Sequence, residues 1–377
     1  IQEINAIINL NLILSKLKLN ALSLFNGISG LHLAMDRAQI GVDTVYYSEI
    51  DKYANTVTEH HYPNDIALGD VTKWREWDID WTSIDLVGAG FPCQAWSVAG
   101  KQLGDKDERG MLFWTTLEII ANVLKHNPEA KFLMENVKMK KDFEQYITHH
   151  TEQALGHVEK TLINSALVSA QNRQRYYWTN FLVTQPSDKG ILLKDVLEDL
   201  PINKAMPKNT EFKKNYAQWD LNGKGNKSQD QRAFYINGKH GTLPANGGGS
   251  KVKVCGGEKT NTLTTVQNDN VVVRATVQAN AEHTYNGKVP TLTAAMGVGG
   301  GNVPLLTDNE TASQYKGKYI DKNDRLKYRK LTPLECERLQ TVPDNWTECL
   351  SNTQRYKSLG NGWTIDVIVH ILECAFK

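Results

Sequence analysis

Cysteine is scarce in this 377-residue chain and poorly spaced for cross-linking. Its five cysteines, Cys93, Cys255, Cys336, Cys349 and Cys374, are odd in number, widely separated and never in a CxxC pair. That speaks against both a disulfide framework and a zinc site. Long apolar runs are missing as well, and nothing approaches the roughly 20 residues of a membrane span. The first residues scatter Glu3, Asn5 and Asn9 among aliphatics and lack the layout of a secretory signal. No GxGxxG dinucleotide fingerprint occurs. A formal net charge of +1 leaves the molecule as a whole without a strong field toward a polyanion. The expectation is a reduced, cytoplasmic protein with no membrane segment and no metal. With 40% hydrophobic and 23% charged residues, it is sized for one large or two moderate domains.

Charge and texture are unevenly distributed. Between residues 200 and 275 there are twelve Lys or Arg against five Asp or Glu, a local charge of +7 that leaves −6 for the rest. Charge alone leaves a solvated lysine-rich surface and a nucleic-acid surface equally open. The first part of the chain alternates strand candidates (21–25, 44–48, 84–88, 131–134) with helical periodicity at 31–38 and 112–125. This pattern predicts an α/β fold with a doubly wound parallel sheet. From about Thr184 the texture turns to Gly, Asn, Thr and Lys, with Gly247-Gly248-Gly249 and Gly299-Gly300-Gly301. A second, smaller, loop- and strand-rich domain is expected there. Within it Thr242-Leu243-Pro244, Thr262-Leu263-Thr264 and Thr291-Leu292-Thr293 form a weak strand-turn repeat. At the end, Ile365, Ile368, Val369, Leu372 and Ala375 mark an amphipathic helix over 364–375 suited to packing back on the sheet. The expected organisation is thus discontinuous: 20–185 with 326–377, then 186–325, and an extension of open role over 1–19.

Chemistry concentrates at strand ends. Gly90-Phe91-Pro92-Cys93-Gln94 follows the apolar run 84–88, and Pro92 can hold the Cys93 thiol on a rigid loop, as a nucleophile requires. A lone cysteine, however, is more often a small buried hydrophobe. Glycines 27 and 30 after the first strand candidate permit close backbone approach to a nucleotide-like ligand. Glu49, at the end of the second, can accept hydrogen bonds from both hydroxyls of a ribose. These features alone fit any dinucleotide or adenosyl ligand, a dehydrogenase included. Asp70 in Gly69-Asp70-Val71 reads either as a ligand contact or as a turn aspartate.

The motifs Phe25-Asn26-Gly27-Ile28-Ser29-Gly30, Gly90-Phe91-Pro92-Cys93-Gln94, Glu135-Asn136-Val137 and Gln171-Asn172-Arg173-Gln174-Arg175 occur in order. They are followed by Leu331-Thr332-Pro333-Leu334-Glu335-Cys336-Glu337-Arg338-Leu339-Gln340 and Gly360-Asn361-Gly362-Trp363. Together they resemble the cytosine-5 DNA methyltransferase family, in its order and at similar spacing. The resemblance implies a Rossmann-like S-adenosylmethionine-binding domain with a target recognition domain. With no regulatory domain ahead of the catalytic one, the prokaryotic or viral type is expected.

By this resemblance Cys93 is the nucleophile, Glu135 the proton donor to the base, and Arg173 and Arg175 lie on one face of an extended segment. There the two arginines would fix the base oxygen, a phosphate or the catalytic carboxylate. Phe25, Gly27, Gly30, Glu49, Ile50, Asp70, Val71, Pro92, Leu112, Asn361 and Trp363 are implied in cofactor binding. Gln94, Ser97 and Arg109 are implied in DNA contact. Trp363 departs from the small apolar residue common in the family and is assigned packing or stacking. The implied partners are double-stranded DNA and a cognate restriction endonuclease, with the protein acting as a monomer.

Two rivals follow from the same motifs. An RNA cytosine methyltransferase can use the same catalytic set, but Cys255 is followed by Gly256-Gly257 and not by the Cys-Phe-Thr of the transfer-RNA subgroup. A catalytically silent DNA-binding regulator would have lost a catalytic group, and Cys93, Glu135, Arg173 and Arg175 are all present.

Overall fold

The computed structural model describes residues 18–92, 110–200 and 331–377 with their side chains, and the backbone of six short strands between 204 and 330. Cys93, Gln94, Ser97, Arg109, Cys255, the residues before 18 and the three Thr-Leu repeats lie outside the described residues. The described chain divides into two compact units. One takes the residues up to Ile163 together with Gln174–Pro186 and Ile365–Lys377. The other takes Asn164–Arg173 and the described part of Ser187–Thr364.

The first unit is built on β1 (Leu19–Leu24), whose last four residues are all buried. It continues through α1 (Gly30–Arg37), β2 (Val42–Ser48), α2 (Lys52–His61), β3 (Ile66–Gly69), β4 (Ile84–Ala89), α3 (Met111–His126) and β5 (Lys131–Val137). Then come α4 (Lys141–Leu155), β6 (Glu159–Asn164) and β8 (Gln174–Thr179), with the two-residue β7 (Gln171–Asn172) of the second unit between the last two in the chain. Seven strands form one sheet in the order β3-β2-β1-β4-β5-β8-β6. The pairs β1/β2, β1/β4, β2/β3 and β4/β5 are parallel, and β5/β8 is antiparallel. In β4 Ile84, Leu86, Val87 and Ala89 are all buried, as suits a parallel strand covered on both faces. Strand order reverses between β1 and β4, so the loops that follow these two strands flank the switch point where doubly wound sheets bind ligands.

Expected and observed strands agree closely at β1, β2 and β4. β5 runs three residues beyond the expected end, through Val137, so Glu135 lies within the strand and not past it. The antiparallel partner β8 extends the ladder: Glu135 lies opposite Tyr177, and Val137 opposite Arg175. The strand β3 and the helices α2 and α4 come in addition to the elements expected from the sequence.

In the second unit β7 pairs in parallel with Val289–Pro290, and a five-stranded sheet forms. Its members, in chain order, are Lys204–Ala205, Arg232–Asn237, Asn270–Thr276, Leu305–Thr307 and Lys327–Lys330. Three helices carry the later sequence blocks: α5 (Leu193–Val196), α6 (Pro333–Leu339) and α7 (Asn352–Asn361). α6 begins on a capping box, with Thr332 accepting from the Glu335 N–H at 3.1 Å and Glu335 accepting from the Thr332 N–H at 2.8 Å. The last helix, α8 (Ile365–Phe376), belongs to the first unit and buries Ile365, Val367, Ile368, Ile371 and Leu372. It packs beside α1, with Arg37 paired to Asp366.

The contact between α1 and β4 is tight. A Cβ on Gly88 would lie 2.9 Å from Cδ2 of Leu31, a fully buried side chain with little room to move. Gly88→Ala is therefore expected to cost about 1–3 kcal/mol through overpacking, measurable as a lower midpoint in urea unfolding.

Candidate active site

The loop after β1 is bent sharply. Phe25, Gly27 and Ser29 have φ of 56°, 57° and 63°, a left-handed series that glycine tolerates freely and other residues only under restraint. The restraints are visible. The Asn26 amide donates to Thr58 Oγ1 at 3.0 Å and Ser29 Oγ donates to the same oxygen at 2.8 Å, fastening the loop to α2. The Asn26 N–H also donates to the Ser48 carbonyl at 3.1 Å.

Glu49, one residue past β2, organises the neighbouring turn. Its Oε2 accepts from the Gly27 N–H at 2.9 Å, and its Oε1 accepts from the N–H groups of Ile50 and Asp51, each at 2.8 Å. One carboxylate thus ties the β1 loop to the start of α2. Oε1 is fully used by two N–H groups, and Oε2 retains a lone pair for a ligand hydroxyl. Beside it Ile50 is 78% exposed, an apolar surface next to a hydrogen-bonding carboxylate.

Asp70 follows β3 and caps the short turn Val71–Glu76, with Oδ1 accepting from the Thr72 N–H at 2.9 Å and the Thr72 hydroxyl at 2.8 Å. These bonds hold its carboxyl below the usual range, the backbone bond first. Asp70 is therefore a turn aspartate, with Oδ2 still available to a ligand. Val71 buries its side chain in the hydrophobic core, which leaves its backbone as the only part able to meet a ligand. Phe25 and Leu112 are partly buried against the same core. Glu49, Ile50 and Asp70 fit an adenosyl group: acceptors for hydroxyl and amino hydrogens flank an open apolar face.

At the ends of β4 and β5 a second group assembles. The Arg175 Nε lies 2.9 Å from Glu135 Oε1, and both side chains are about nine-tenths buried. They occupy diagonal positions on one face of the β5/β8 ladder. Asn136, 1% exposed, donates from Nδ2 to the Phe91 carbonyl at 3.2 Å, and its Oδ1 accepts from the Val137 N–H at 2.7 Å. Phe91 is anchored from its other side by its ring, 5.4 Å from that of Phe113. Asn136 thus joins the strand of Glu135 to the residue before Pro92. It belongs to the Glu-Asn-Val motif but was assigned no role from the sequence, because an amide that binds backbone leaves no composition signal.

The expectation for Arg173 is corrected. The backbone breaks between β7 and β8 at this residue, so Arg173 and Arg175 do not alternate along one strand. Arg175 lies with Glu135 in the first unit, and Arg173 in the second. There Arg173 is 4% exposed and donates from Nη2 to the Gly362 carbonyl at 3.0 Å. In the same unit Asn361 ends α7 exposed, and Trp363 is half-buried.

Two of the described cysteines, Cys336 and Cys349, are poor nucleophiles. Burial, reinforced by Glu335 and Glu337, pushes the Cys336 thiol well up, and burial raises Cys349 as well. Among the described residues no group of three or more His, Cys, Asp or Glu is placed to hold a metal ion, and no helix is long and apolar enough to cross a membrane.

The sequence matches the family described as C-5 cytosine-specific DNA methylase over residues 19–377. The chain belongs to that family. It is 32% identical over 230 residues to the type II methyltransferase M.NgoBV of Neisseria gonorrhoeae, covering 55% of this chain and 53% of that one. The chain thus spans about half the length of the first such relatives. The type II methyltransferase M.HhaI of Haemophilus parahaemolyticus is 26% identical over 385 residues, covering 94% of this chain and 93% of its own. Among solved structures, a DNMT2 variant of Spodoptera frugiperda shares the fold, with a TM-score of 0.57 and 18% identity over 96% of this chain and 100% of that one.

Glu49→Ala removes the acceptor of three backbone N–H groups. It is expected to lower stability by about 1–3 kcal/mol and to weaken S-adenosylmethionine binding, read by thermal melting and by calorimetric titration of the DNA-free protein.

Proposed function

We propose that the chain is a sequence-specific DNA (cytosine-5) methyltransferase that acts on a flipped-out cytosine through a covalent Cys93 adduct. The observation that carries this reading is the buried Glu135–Arg175 pair, in a strand joined through Asn136 to the Phe91-Pro92 segment that leads into Cys93. S-adenosylmethionine, when bound, supplies an electrophilic methyl group. Glu49 would hold its ribose, Ile50 would lie against adenine, and Asp70 Oδ2 would accept from the adenine amino group. Phe25, Gly27, Gly30, the Val71 backbone, Pro92, Leu112, Asn361 and Trp363 complete the proposed cofactor set.

Carbon 5 of cytosine is too weak a nucleophile to accept a methyl group unaided. The Cys93 thiolate forms a bond to carbon 6, and the displaced electron pair makes the ring an enamine. Glu135 offers a proton to ring nitrogen 3 as that charge develops, and Arg175 fixes the carboxyl that does so. Once the enamine electron pair has formed the bond from carbon 5 to the methyl group, loss of the carbon 5 proton would return an electron pair that expels the thiolate from carbon 6. Because carbon 6 is stacked within the duplex, the base must leave the helix, at a cost of a few kcal/mol met by phosphate and groove contacts. Ser97, Gln94, Arg109 and the basic residues between 204 and 274 are the proposed contacts. The reading includes a type II modification role beside a cognate restriction endonuclease, as a cytoplasmic monomer.

Bisulfite sequencing of duplex DNA incubated with the protein and S-adenosylmethionine tests the reading. Protected cytosines in one short recurring motif are the expected result. Complete conversion by a protein that binds the cofactor would favour an RNA substrate or a silent regulator. Cys93→Ser is expected to abolish turnover with cofactor binding intact, and retained methylation would remove Cys93 as nucleophile. Glu135→Gln is expected to slow adduct formation by about 10²-fold or more, followed by trapping on DNA that carries 5-fluorocytosine.

A further inference from the structure

We propose that Arg173 is a positioning residue for the Gly360–Gly362 turn and not a ligand of the target base, so that its loss is read in cofactor affinity. The inference rests on the cofactor role proposed for Asn361.

Three observations within the second unit converge. The first is the guanidinium itself. Nη2 donates to the Gly362 carbonyl at 3.0 Å, and Nη1 makes a longer bond of 3.5 Å to the Gly360 carbonyl. Both carbonyls sit at the C-terminal end of α7, where the last C=O groups lack helical partners and the helix carries partial negative charge. A planar cation with several donors answers both demands.

The second is how firmly Arg173 is held. Its N–H donates to Asn164 Oδ1 at 3.0 Å, and its carbonyl accepts from the Ser165 N–H at 2.9 Å. The Asn164 amide in turn donates to Asn172 Oδ1 at 2.8 Å. The break between β7 and β8 is thus a fixed corner.

The third is a parallel grip on the same turn by Gln340, the last residue of the Leu331–Gln340 block. Its Nε2 donates to the Leu359 carbonyl at 2.6 Å and to the Gly362 carbonyl at 3.3 Å. Its Oε1 accepts from Gln171 Nε2 at 3.1 Å and from the Thr364 hydroxyl at 2.9 Å. The Ser165 hydroxyl donates to Thr364 Oγ1 at 2.9 Å. Arg173 and Gln340 therefore hold buried carbonyls on both sides of Asn361. Gly360 and Gly362 are buried while Asn361 is exposed. The exposed Asn361 thus stands between two buried glycines whose carbonyls the network holds.

Three sequence blocks far apart in the chain thus serve one residue. If Arg173 acted on the base, its variants would slow adduct formation at saturating cofactor. If it positions Asn361, they raise the Kd for S-adenosylmethionine and leave the saturated rate comparatively intact.

The test uses the full chain. The Kd for S-adenosylmethionine is measured by calorimetry without DNA, and the single-turnover adduct rate on 5-fluorocytosine duplex at saturating cofactor. Arg173→Lys keeps the charge but loses the fork, and is expected to raise Kd about tenfold, the equivalent of one lost hydrogen bond to a charged group. Arg175→Lys is expected to slow the adduct step instead. Thr364→Val, similar in shape, removes one link of the network and is expected to raise Kd about threefold, with a melting temperature lowered by the loss of two buried hydrogen bonds. It keeps the test open if Arg173→Lys fails to fold. An unchanged Kd in both Arg173→Lys and Thr364→Val, or a slowed adduct with native Kd in Arg173→Lys, overturns the assignment. Absence of cofactor binding by the unmutated protein would instead overturn the proposed function before Arg173 is changed.

Discussion

The parallel pairing of β1 with β4 is the constraint on which the first unit depends. It sets side by side two strands that are 60 residues apart in the chain, and strand order runs outward from this seam in both directions. Every loop with candidate chemistry in this unit leaves the same end of the sheet. The bent Phe25–Ser29 segment leaves β1, the Glu49 turn leaves β2, Asp70 follows β3, and Phe91-Pro92 follows β4. None of these side chains needs its neighbours in sequence to find its neighbours in space. At the same seam the Leu31 side chain of α1 meets Gly88 of β4, where an added Cβ would lie 2.9 Å from it.

Much of this was legible in the sequence. Short, mostly apolar runs announced the buried parallel strands, and glycines 27 and 30 announced a close backbone approach. The short motifs announced the family. What could not be read was anything that depends on a backbone amide as partner. Glu49 reads as a ligand contact from its position after a strand, yet its first task is to bind three N–H groups. Asn136 reads as filler between two more eloquent residues, yet it joins two loops. Val71 reads as part of a ligand-binding triplet, and its side chain belongs to the core.

The two arginines show a different limit. Spacing of i and i+2 predicts a shared face only where the strand is continuous, and a one-residue break at Arg173 cancels the inference. The break has no marker of its own: Gln-Asn-Arg-Gln-Arg is uniformly polar and carries neither glycine nor proline. Tertiary hydrogen bonding, from Asn164 and to the end of α7, holds Arg173, while Arg175 pairs with Glu135. By the same token Glu335 and Glu337 in α6, which look like surface charges, are fully buried. Glu335 completes a capping box, and Glu337 is paired with Arg355 at 2.9 Å.

The support beneath Asn361 consists of amides, hydroxyls and one guanidinium bonded to carbonyl oxygens, all sealed from water. Such contacts are little screened by mobile ions and hold no group that titrates near neutrality. Under the proposed function, DNA affinity would rest on phosphate neutralisation and fall steeply with salt, because releasing counterions gains less as their bulk concentration rises. Ionic strength would then separate the two proposed affinities, releasing the nucleic acid while the asparagine turn stays in place.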